Sequence, residues 1–469
     1  MNNIKSSYLF YDIETTGLNK CFDQVLQFAA IRTDLSFNEI ARAFISIRLN
    51  PDVTPSPAAI MTHRISMQDM QSGKPEVEGI CEIHRLMNTP GTISLGYNNL
   101  NFDDEFLRFS FYRNLLPPYT HQYANQCYRM DLFPITTLYH LFDESIIEWP
   151  KENGNVSLKL ENLNAVNKLA TGRAHHAMVD VEATLALAKK FISHRKMWDY
   201  VVAYFNKSTD IARTQQLPVA FKSKRGIYRE ALVVNGVFGN SLSYQAPVLS
   251  LGQHQHYKNQ SLWLRLDSDT LQSTTENTVA ETTSIVRKRA GEQFILLPPL
   301  ERFLTRLSKD RQQLANENKQ WLQSHPEILQ TICHYHQHFT YPTIENIDPD
   351  AALYELDFST PEEECLFQQF HLVTPDKKEK IVEQFPNMIR QEQGLRILAR
   401  HYSHVLSDEA NKNFLDYLET SPVDYRGEKR LTPEAALQQI ALLKKDNKLL
   451  VEEQVDLLNN LQIYLRASP

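Results

Sequence analysis

Residues 8–16 read YLFYDIETT, and a glycine follows them. The first six residues form an aromatic and β-branched run of strand length, which the Thr-Thr-Gly turn ends. Two carboxylates, Asp12 and Glu14, lie in this stretch two residues apart. Because side chains alternate along a strand, both acids share a face and can reach a common cation. Burying two acids in so apolar a strand is costly unless a divalent cation offsets their charge. The alternative is an exposed strand end with two solvated acids. Residues elsewhere in the chain must distinguish this alternative from a metal site.

Composition restricts the class of protein. A chain of 469 residues predicts two to four domains, and 42% hydrophobic with 22% charged residues is typical of soluble globular proteins. The net charge of −7 argues against general affinity for nucleic acid but leaves local clefts open. We find neither a signal-like N-terminus nor an apolar run of about 18 residues, so we expect no membrane span. Five scattered cysteines predict reduced thiols in a cytoplasmic protein.

Hydrophobic patterning predicts three domains. Residues 1–195 combine strands with helices and predict an α/β domain with a mixed sheet. The strands are expected at 8–14, 25–33, 41–49 and 92–99, and the main helices at 67–88, 101–116 and 176–192. Residues 196–347 contain short β-rich runs separated by turn residues, which favour a small barrel or sandwich with a helical appendage. Residues 348–469 are predicted to be helical, with a Thr-Pro-Glu-Glu start signal at 360–363.

Two further acids and one histidine extend the argument begun at residue 12. Asp103 follows the fourth predicted strand at the start of a helix, and Asp180 lies in the first turns of the 176–192 helix. His175 lies just before that helix. With Asp12 and Glu14, these side chains could hold two divalent cations about 4 Å apart, which supports attack of water on a phosphodiester. Oxygen ligands favour Mg²⁺ or Mn²⁺ over zinc. Each residue alone also fits an ordinary solvated or helix-terminal role.

The combined motifs resemble the DEDD superfamily of exonucleases: D-I-E-T-T-G from residue 12, N-x-x-F-D ending at Asp103, and H-x-x-x-x-D ending at Asp180. The four-residue gap before Asp180 resembles the subgroup that uses a histidine as general base, and it selects His175 over His176. The resemblance implies a ribonuclease-H-like fold and 3′-to-5′ removal of nucleotides. His175 would deprotonate the attacking water, a role that suits an imidazole near neutral pH.

The same resemblance implies different metal-binding roles for the four acids. Asp12 would bridge two Mg²⁺ ions, for which Mn²⁺ could substitute. Glu14 and Asp180 would complete one metal site, and Asp103 would serve the other.

A closer resemblance, to the bacterial exonuclease I family, extends over nearly the whole chain. It rests on YDIETTG (11–17), GYNNLNFDDEFLR (96–108), FYRNLLPPY (111–119), SLKLENL (157–163) and DAALYELDF (350–358), together with the β-rich middle and the helical tail. The family degrades single-stranded DNA processively with an exonuclease domain, an SH3-like domain and a helical C-terminal domain that enclose the strand. The resemblance therefore implies an exodeoxyribonuclease that releases 5′-mononucleotides in DNA repair and recombination. It also implies a monomer that docks the acidic tail of single-stranded DNA-binding protein.

Several side chains become candidate DNA contacts by this resemblance. Glu14, Arg108 and Tyr119 fit contact positions, Lys159 could meet the terminal nucleotide, and Tyr123 could stack on a base. Two basic runs are further candidates for phosphate contact or are simply solvated faces. The first run contains Lys222, Lys224, Arg225 and Arg229, and the second covers residues 287–289.

Some alternatives stay open. The sequence CHYHQH at 333–338 could suggest zinc, but without a second cluster at ligand spacing a role without metal is favoured. For the whole chain, the alternatives are a 3′-to-5′ exoribonuclease of the same superfamily and a non-catalytic scaffold that binds single strands. The residues beyond 195 favour the DNA enzyme over the exoribonuclease. The presence of all four carboxylates argues against the scaffold.

Overall fold

The computed structural model describes residues 5–224, 226–445 and 450–467. Its contacts divide the chain into two compact units. Unit 1 comprises Met1–Arg129, Ala170–Leu185 and Thr343–Pro469, and unit 2 comprises Met130–Leu169 and Ala186–Pro342. The helical region near the end of the chain therefore belongs to the same unit as the first 129 residues. The division into domains at residues 195 and 347 stays a prediction.

The strands follow the order of the chain as β1 to β13. Their bounds are β1 Ser7–Thr15, β2 Val25–Thr33, β3 Glu39–Ser46, β4 Thr92–Gly96, β5 Tyr128–Asp131, β6 Lys151–Glu152, β7 Asn155–Val156, β8 Val219–Ser223, β9 Gly226–Val234, β10 Gln245–Gln253, β11 Gln260–Arg265, β12 Ile285–Arg289 and β13 Ile295–Leu297.

The helices are numbered in the same way from α1 to α19. Their bounds are α1 Pro57–His63, α2 Met67–Gln71, α3 Glu76–Met87, α4 Asp103–Arg113, α5 Leu132–Phe142, α6 Leu160–Asn167, α7 Ala177–Phe191, α8 Arg195–Val202, α9 Lys207–Gln215, α10 Val279–Thr282, α11 Glu301–Leu304, α12 Lys309–Ser324, α13 Pro326–His338, α14 Pro361–Leu372, α15 Pro375–Val382, α16 Met388–Tyr402, α17 Asp408–Leu418, α18 Pro433–Lys445 and α19 Glu452–Ala467. Among the described residues, no helix combines the length and apolar character that crossing a membrane requires.

The first sheet has the strand order β3-β2-β1-β4-β5. Its central strand β1 pairs antiparallel with β2 and parallel with β4, which confirms the predicted mixed sheet. Leu9, Tyr11 and Ile13 on one face of β1 pack against side chains of α3 and α4. Because a strand alternates, the even-numbered residues, including both acids, lie on the opposite face.

The predicted helix over 67–88 is two helices, α2 and α3, with a break between them. Gly73 lies in the break with φ +97°, and a Cβ there would be 2.7 Å from the carbonyl oxygen of Ser46. Pro75 then precedes the first residue of α3. A left-handed glycine and a proline together explain why one continuous helix does not form.

The C-terminal helices complete the core of unit 1. Side chains of α1 and α2 share one apolar cluster with α18 and α19. Val77 of α3 and Leu115 belong to a second cluster with α14 and α16. The predicted helix start at Thr360 is a capping box, since its hydroxyl accepts the Glu363 N–H at 3.2 Å and the Glu363 carboxylate accepts the Thr360 N–H at 2.9 Å.

A buried chain of charges links the same two parts of unit 1. The Arg400 guanidinium donates to Asp52 at 2.7 Å and to Asp350 at 2.6 Å. Burial alone would raise the pKa of Asp52, but the Arg400 charge outweighs it and lowers that pKa below its ordinary value. The pKa of Asp350 is lowered in the same way by Arg400 and Arg396, against the effect of its burial. These contacts tie the loop after β3 to helix α16.

We expect Arg400→Met to lower the stability of the protein by about 3–5 kcal/mol, because it removes the cation bonded to buried Asp52 and leaves buried Asp350 with Arg396 alone. The measurement is urea denaturation near neutral pH. The difference from the wild type should shrink with acid. Since the folded pKa values of Asp52 and Asp350 are lowered, their stabilising effect is complete above the ordinary carboxyl pKa of about 3.9 and is lost as the pH falls through the folded values.

The matched control is Arg195→Met. Arg195 pairs with Asp199 at 3.0 Å on an exposed helix face, where an ion pair contributes about 0–1 kcal/mol. Equal loss of stability in both variants would contradict the importance of the buried chain.

Unit 2 contains the predicted β-rich region. A sheet with the order β12-β11-β10-β9-β13, to which β8 adds through β9, is antiparallel at each pairing. Helices α12 and α13 cover one apolar cluster of this sheet through Leu322, Leu329 and Ile332. The predicted β-rich middle region is thus confirmed.

Candidate active site

Strand β1 presents the two acids that open the site. Asp12 lies opposite Ala29 and Glu14 opposite Gln27 in the pairing with β2, and the pairing slips by one residue directly after Glu14. Both acids are half-buried, whereas the intervening Ile13 is buried in the core. The predicted common face of Asp12 and Glu14 is therefore present, on the side of the sheet opposite α3 and α4.

Asp103 approaches β1 from the first residue of α4. Its Oδ1 accepts a hydrogen bond from the backbone N–H of Ile13 at 3.2 Å, directly between the two acids of β1. The preceding turn brings the backbones close together, since a Cβ on Gly96 would be 2.8 Å from the carbonyl oxygen of Tyr11. Asn98 in this turn has φ +63°, a conformation that asparagine tolerates better than most residues.

Asp180 completes the cluster from the first turn of α7. One carboxylate oxygen from each of Asp12, Glu14 and Asp180 lies within 4.8 Å of the others, so the three can hold a metal ion together. An ion pair between Arg42 of β3 and Glu182 holds α7 against the sheet. The sequence thus predicted correctly that these three acids converge, and Asp103 lies beside them.

The negative charges of the cluster favour binding of a cation. Burial raises the pKa of Asp12 well above its usual range, and the negative charges of Asp103, Glu14 and Asp180 raise it further. Burial and the negative charges of Asp180 and Asp103 raise the pKa of Glu14 to about 9, although the positive charge of Arg173 opposes this rise. Four carboxylates repel one another unless positive charge joins them, and their hard oxygen ligands fit Mg²⁺ or Mn²⁺. The residues present therefore suit a divalent cation of this class.

His175 lies on the loop before α7 and is exposed. Its backbone N–H donates to Asp180 Oδ2 at 3.1 Å, and its φ is +58°. Arg173 anchors the loop, because its guanidinium donates to the carbonyl oxygen of His63 at 2.8 Å and to Glu453 of α19 at 3.1 Å. The imidazole of His176 instead stacks on Phe44 of β3, with ring centroids 6.2 Å apart. The two neighbouring histidines thus have different surroundings.

Arg108 is held in a network that sequence reasoning missed. Its guanidinium donates to Asp104 at 3.0 Å and to the Tyr354 hydroxyl at 3.2 Å. Asp104 also pairs with Arg129 and His121, and although burial opposes it, this positive charge holds the pKa of Asp104 well below its usual range. Of the two adjacent acids, Asp103 therefore lies beside the acidic cluster and Asp104 contacts three basic side chains. The role of Arg108 as a DNA contact stays a prediction.

An aromatic cavity of about 140 Å³ in unit 1 contains both tyrosines proposed as DNA contacts. The Arg108 guanidinium carbon lies over the Tyr119 ring, 5.2 Å from the ring centroid. Tyr119 also contacts Phe358 edge-on, with ring centroids 5.8 Å apart. Tyr123 lines the same cavity and is 69% exposed. Phe358, which is 82% exposed, was not singled out from the sequence. Exposed rings of this kind suit stacking on bases, and the assignment stays a prediction.

The remaining candidate contacts lie in unit 2. Lys159 precedes α6 and pairs with Glu152 at 3.3 Å. Lys222 and Lys224 are exposed at the end of β8, while Arg225 lies outside the described residues. In the second basic run, Lys288 is buried and pairs with Asp210 at 2.6 Å, so its ammonium is not available to a phosphate.

A model of the exonuclease family matches residues 9–188, which contain all four acids and His175. Residues 9–188 are an exonuclease domain. The chain is also 33% identical to exodeoxyribonuclease I of Escherichia coli K12 over 284 residues, which cover 57% of this chain and 57% of that protein. The aligned part thus spans little more than half the length of this relative.

The fold around the exonuclease domain is shared as well. The structure of E. coli exonuclease I in complex with a dA16 oligonucleotide superposes on this chain with a TM-score of 0.84 and 24% identity. The alignment covers 99% of this chain and 100% of the E. coli chain. A structure of SSB/exonuclease I in complex with the inhibitor CFAM covers 99% of this chain and is also covered completely, with a TM-score of 0.82 and 24% identity. At this level of identity, the two structures establish a common fold from the exonuclease domain to the C-terminal helices.

Proposed function

We propose that this chain is an exodeoxyribonuclease that degrades single-stranded DNA processively from the 3′ end and releases 5′-mononucleotides. It would act in the cytoplasm as a monomer, in DNA repair and recombination. The observation that carries the proposal is the convergence of Asp12, Glu14 and Asp180 within 4.8 Å, with the His175 N–H bonded to Asp180. The DNA oligonucleotide bound to the structural relative supports the choice of substrate.

Each residue of the site has a role in this mechanism. Asp12, Glu14 and Asp180 would hold one Mg²⁺, and Asp103 would serve a second with Asp12. Bound in this way, divalent cations stabilise the charge on the phosphate and promote ionisation of water. The exposed imidazole of His175 would accept the proton of the attacking water.

Arg173 supports this arrangement without taking part in proton transfer. Its contacts with His63 and Glu453 fix the loop that carries His175. The Asp180 oxygen that accepts the His175 N–H couples the position of the base to the position of a metal ligand.

The test uses three substrates labelled at the 5′ end: single-stranded DNA, duplex DNA and RNA of matched sequence. With Mg²⁺, we expect progressive shortening of the single-stranded DNA and little change in the other two. Equal degradation of RNA would favour the exoribonuclease. Binding without any Mg²⁺-dependent product would favour the non-catalytic scaffold.

Processivity requires that the strand stays bound between catalytic steps, and the exposed Lys222 and Lys224 are suited to hold phosphates. We expect that replacing Lys222, Lys224 and Arg225 by alanine shortens the run length and flattens the salt dependence of binding. The measurement is product length on a long 5′-labelled strand with excess unlabelled trap added at the start. The control is Lys377→Ala/Lys380→Ala/Lys412→Ala, which removes three charges at exposed positions of α15 and α17. Unchanged run length in the first variant would exclude these three side chains as contacts.

A cavity of about 870 Å³ in unit 2 supports the proposed partner, single-stranded DNA-binding protein. Its lining combines apolar side chains such as Leu138 and Val201 with the cations Lys196 and Arg302, and it also contains Arg306 paired with Glu144 at 2.6 Å. An acidic tail with apolar side chains matches both properties. The relative solved together with SSB makes this partner a reasonable choice.

We expect Lys196→Ala/Arg302→Ala to weaken binding of the acidic tail peptide at least about tenfold, since each lost charge contact in a partly desolvated site is worth about 1 kcal/mol or more. Fluorescence anisotropy of the labelled peptide measures the affinity. Arg195→Ala serves as control, because Arg195 is next in the chain but pairs with Asp199 outside the cavity lining. The cavity would be the wrong docking site if only the control weakened binding.

A further inference from the structure

The end of α13 carries two exposed imidazoles on one face. His334 and His338 are one helical turn apart, and their rings stack with centroids 4.3 Å apart at 26°. His336 lies between them in sequence but is buried, with Nε2 2.7 Å from the Thr283 hydroxyl. Its position is explained by that contact. The His-x₃-His pair has no comparable structural role, and this spacing on a helix lets two imidazoles bind one metal ion.

The structure brings a third imidazole to this pair from a distant part of the sequence. His256 lies in the turn between β10 and β11, and its ring is 6.5 Å from that of His338. His254 in the same turn is buried and uses Nδ1 to accept the backbone N–H groups of His256 and Tyr257, which shapes the turn. His256 itself is exposed.

The two backbones that carry these rings are held together by hydrogen bonds. The N–H of Gln255 donates to the carbonyl oxygen of Gln337 at 2.9 Å, and the Gln337 side chain donates to the carbonyl oxygen of Leu251 at 2.6 Å. The turn and the end of α13 are therefore fixed relative to each other, and only the exposed side chains must rotate to meet at one ion.

One hydrogen bond also sets the protonation of His338. Its Nδ1 is 2.8 Å from the carbonyl oxygen of His334. A carbonyl oxygen only accepts, so Nδ1 carries the proton and Nε2 keeps a free lone pair when the ring is neutral. A hydrogen bond of this kind to the nitrogen that does not bind the ion fixes the tautomer of many metal-binding histidines.

We infer that His256, His334 and His338 form a binding site for a transition-metal cation of the Zn²⁺, Ni²⁺ or Cu²⁺ class. Imidazole nitrogens prefer these ions, whereas carboxylate oxygens prefer Mg²⁺. The site contains none of the active-site acids and does not depend on the proposed nuclease activity. A bound ion would clamp the β10–β11 turn to the end of α13.

The test is calorimetric titration of the full-length protein with Ni²⁺ in the presence of excess Mg²⁺, which is added to compete for the carboxylate cluster. Loss of a hydrogen-bond partner of a metal ligand alone changes metal affinity about 10–100-fold. We therefore expect His334→Ala and His338→Ala each to weaken Ni²⁺ binding at least about tenfold. His256→Ala should weaken it measurably. His404→Ala, an exposed histidine on unit 1, is the control and should bind as the wild type does.

A second readout does not depend on heat of binding. Ni²⁺ should raise the thermal midpoint of the wild type and of His404→Ala, but not that of His334→Ala/His338→Ala. Wild-type affinity in both single variants of α13 would overturn the site. Unchanged affinity in His256→Ala would overturn its third ligand.

Discussion

The Asp12→Ala and Asp180→Ala variants are expected to lose hydrolysis of single-stranded DNA by a factor of about 10³ or more while keeping their fold. Each change removes one of three oxygens that meet within 4.8 Å, and loss of a preorganised group that stabilises transition-state charge costs about this much. The measurement is the initial rate at saturating Mg²⁺, with Mn²⁺ titration of the same protein as a direct test of metal binding.

Stability should change in the opposite direction to activity. The pKa of Asp12 is raised in the folded protein by burial and by its acidic neighbours, so its ionised form destabilises the fold near neutral pH when no cation is bound. Without divalent ions, Asp12→Ala should therefore melt at the same temperature as the wild type or higher. Glu182→Ala is the control, since Glu182 lies on α7, as Asp180 does, but pairs with Arg42. Substantial Mg²⁺-dependent hydrolysis by either active-site variant would contradict the assignment of these acids as metal ligands.

His175→Ala is expected to lower kcat about 10²-fold or more with little change in KM, because it removes the proposed general base. The variant keeps the backbone N–H that donates to Asp180, so the Asp180 carboxylate stays oriented. Steady-state kinetics on a short single-stranded DNA separates the two parameters.

Two matched variants sharpen this test. His175→Asn suits the φ of +58° at this position better than alanine does, and it should be as slow as His175→Ala if the imidazole is the base. His176→Ala removes only the ring that stacks on Phe44 and should stay close to the wild type. A larger loss in His176→Ala than in His175→Ala would reverse the assignment.

Local patterns in the sequence predicted the elements that carry the site. The alternation in β1 placed Asp12 and Glu14 on one face. The loop whose His175 N–H bonds Asp180 was selected instead by the resemblance to the histidine subgroup. These features depend on neighbours within a few residues, where periodicity and capping chemistry are informative. The helix start at Thr360 is a further example.

Contacts between distant segments were not accessible in the same way. The sequence singled out Asp103 but did not reveal the role of Asp104, which depends on Arg129 and His121 from other elements. It did not reveal that Arg173 connects the His175 loop to Glu453, which is 280 residues away. The histidine at 256 joins those of α13 only through the pairing of β10 with β11 and its contacts with that helix.

The shared apolar clusters of α1 and α2 with α18 and α19 have a consequence for how this protein can be divided. Residues 9–188 match a family model, yet part of their hydrophobic surface packs against residues beyond 430. Limited proteolysis should therefore not release an active N-terminal fragment, and recombination that exchanges the C-terminal helices would have to exchange their partners in α1 and α2 as well. In this chain, the proposed catalytic residues and the last helices belong to the same compact unit.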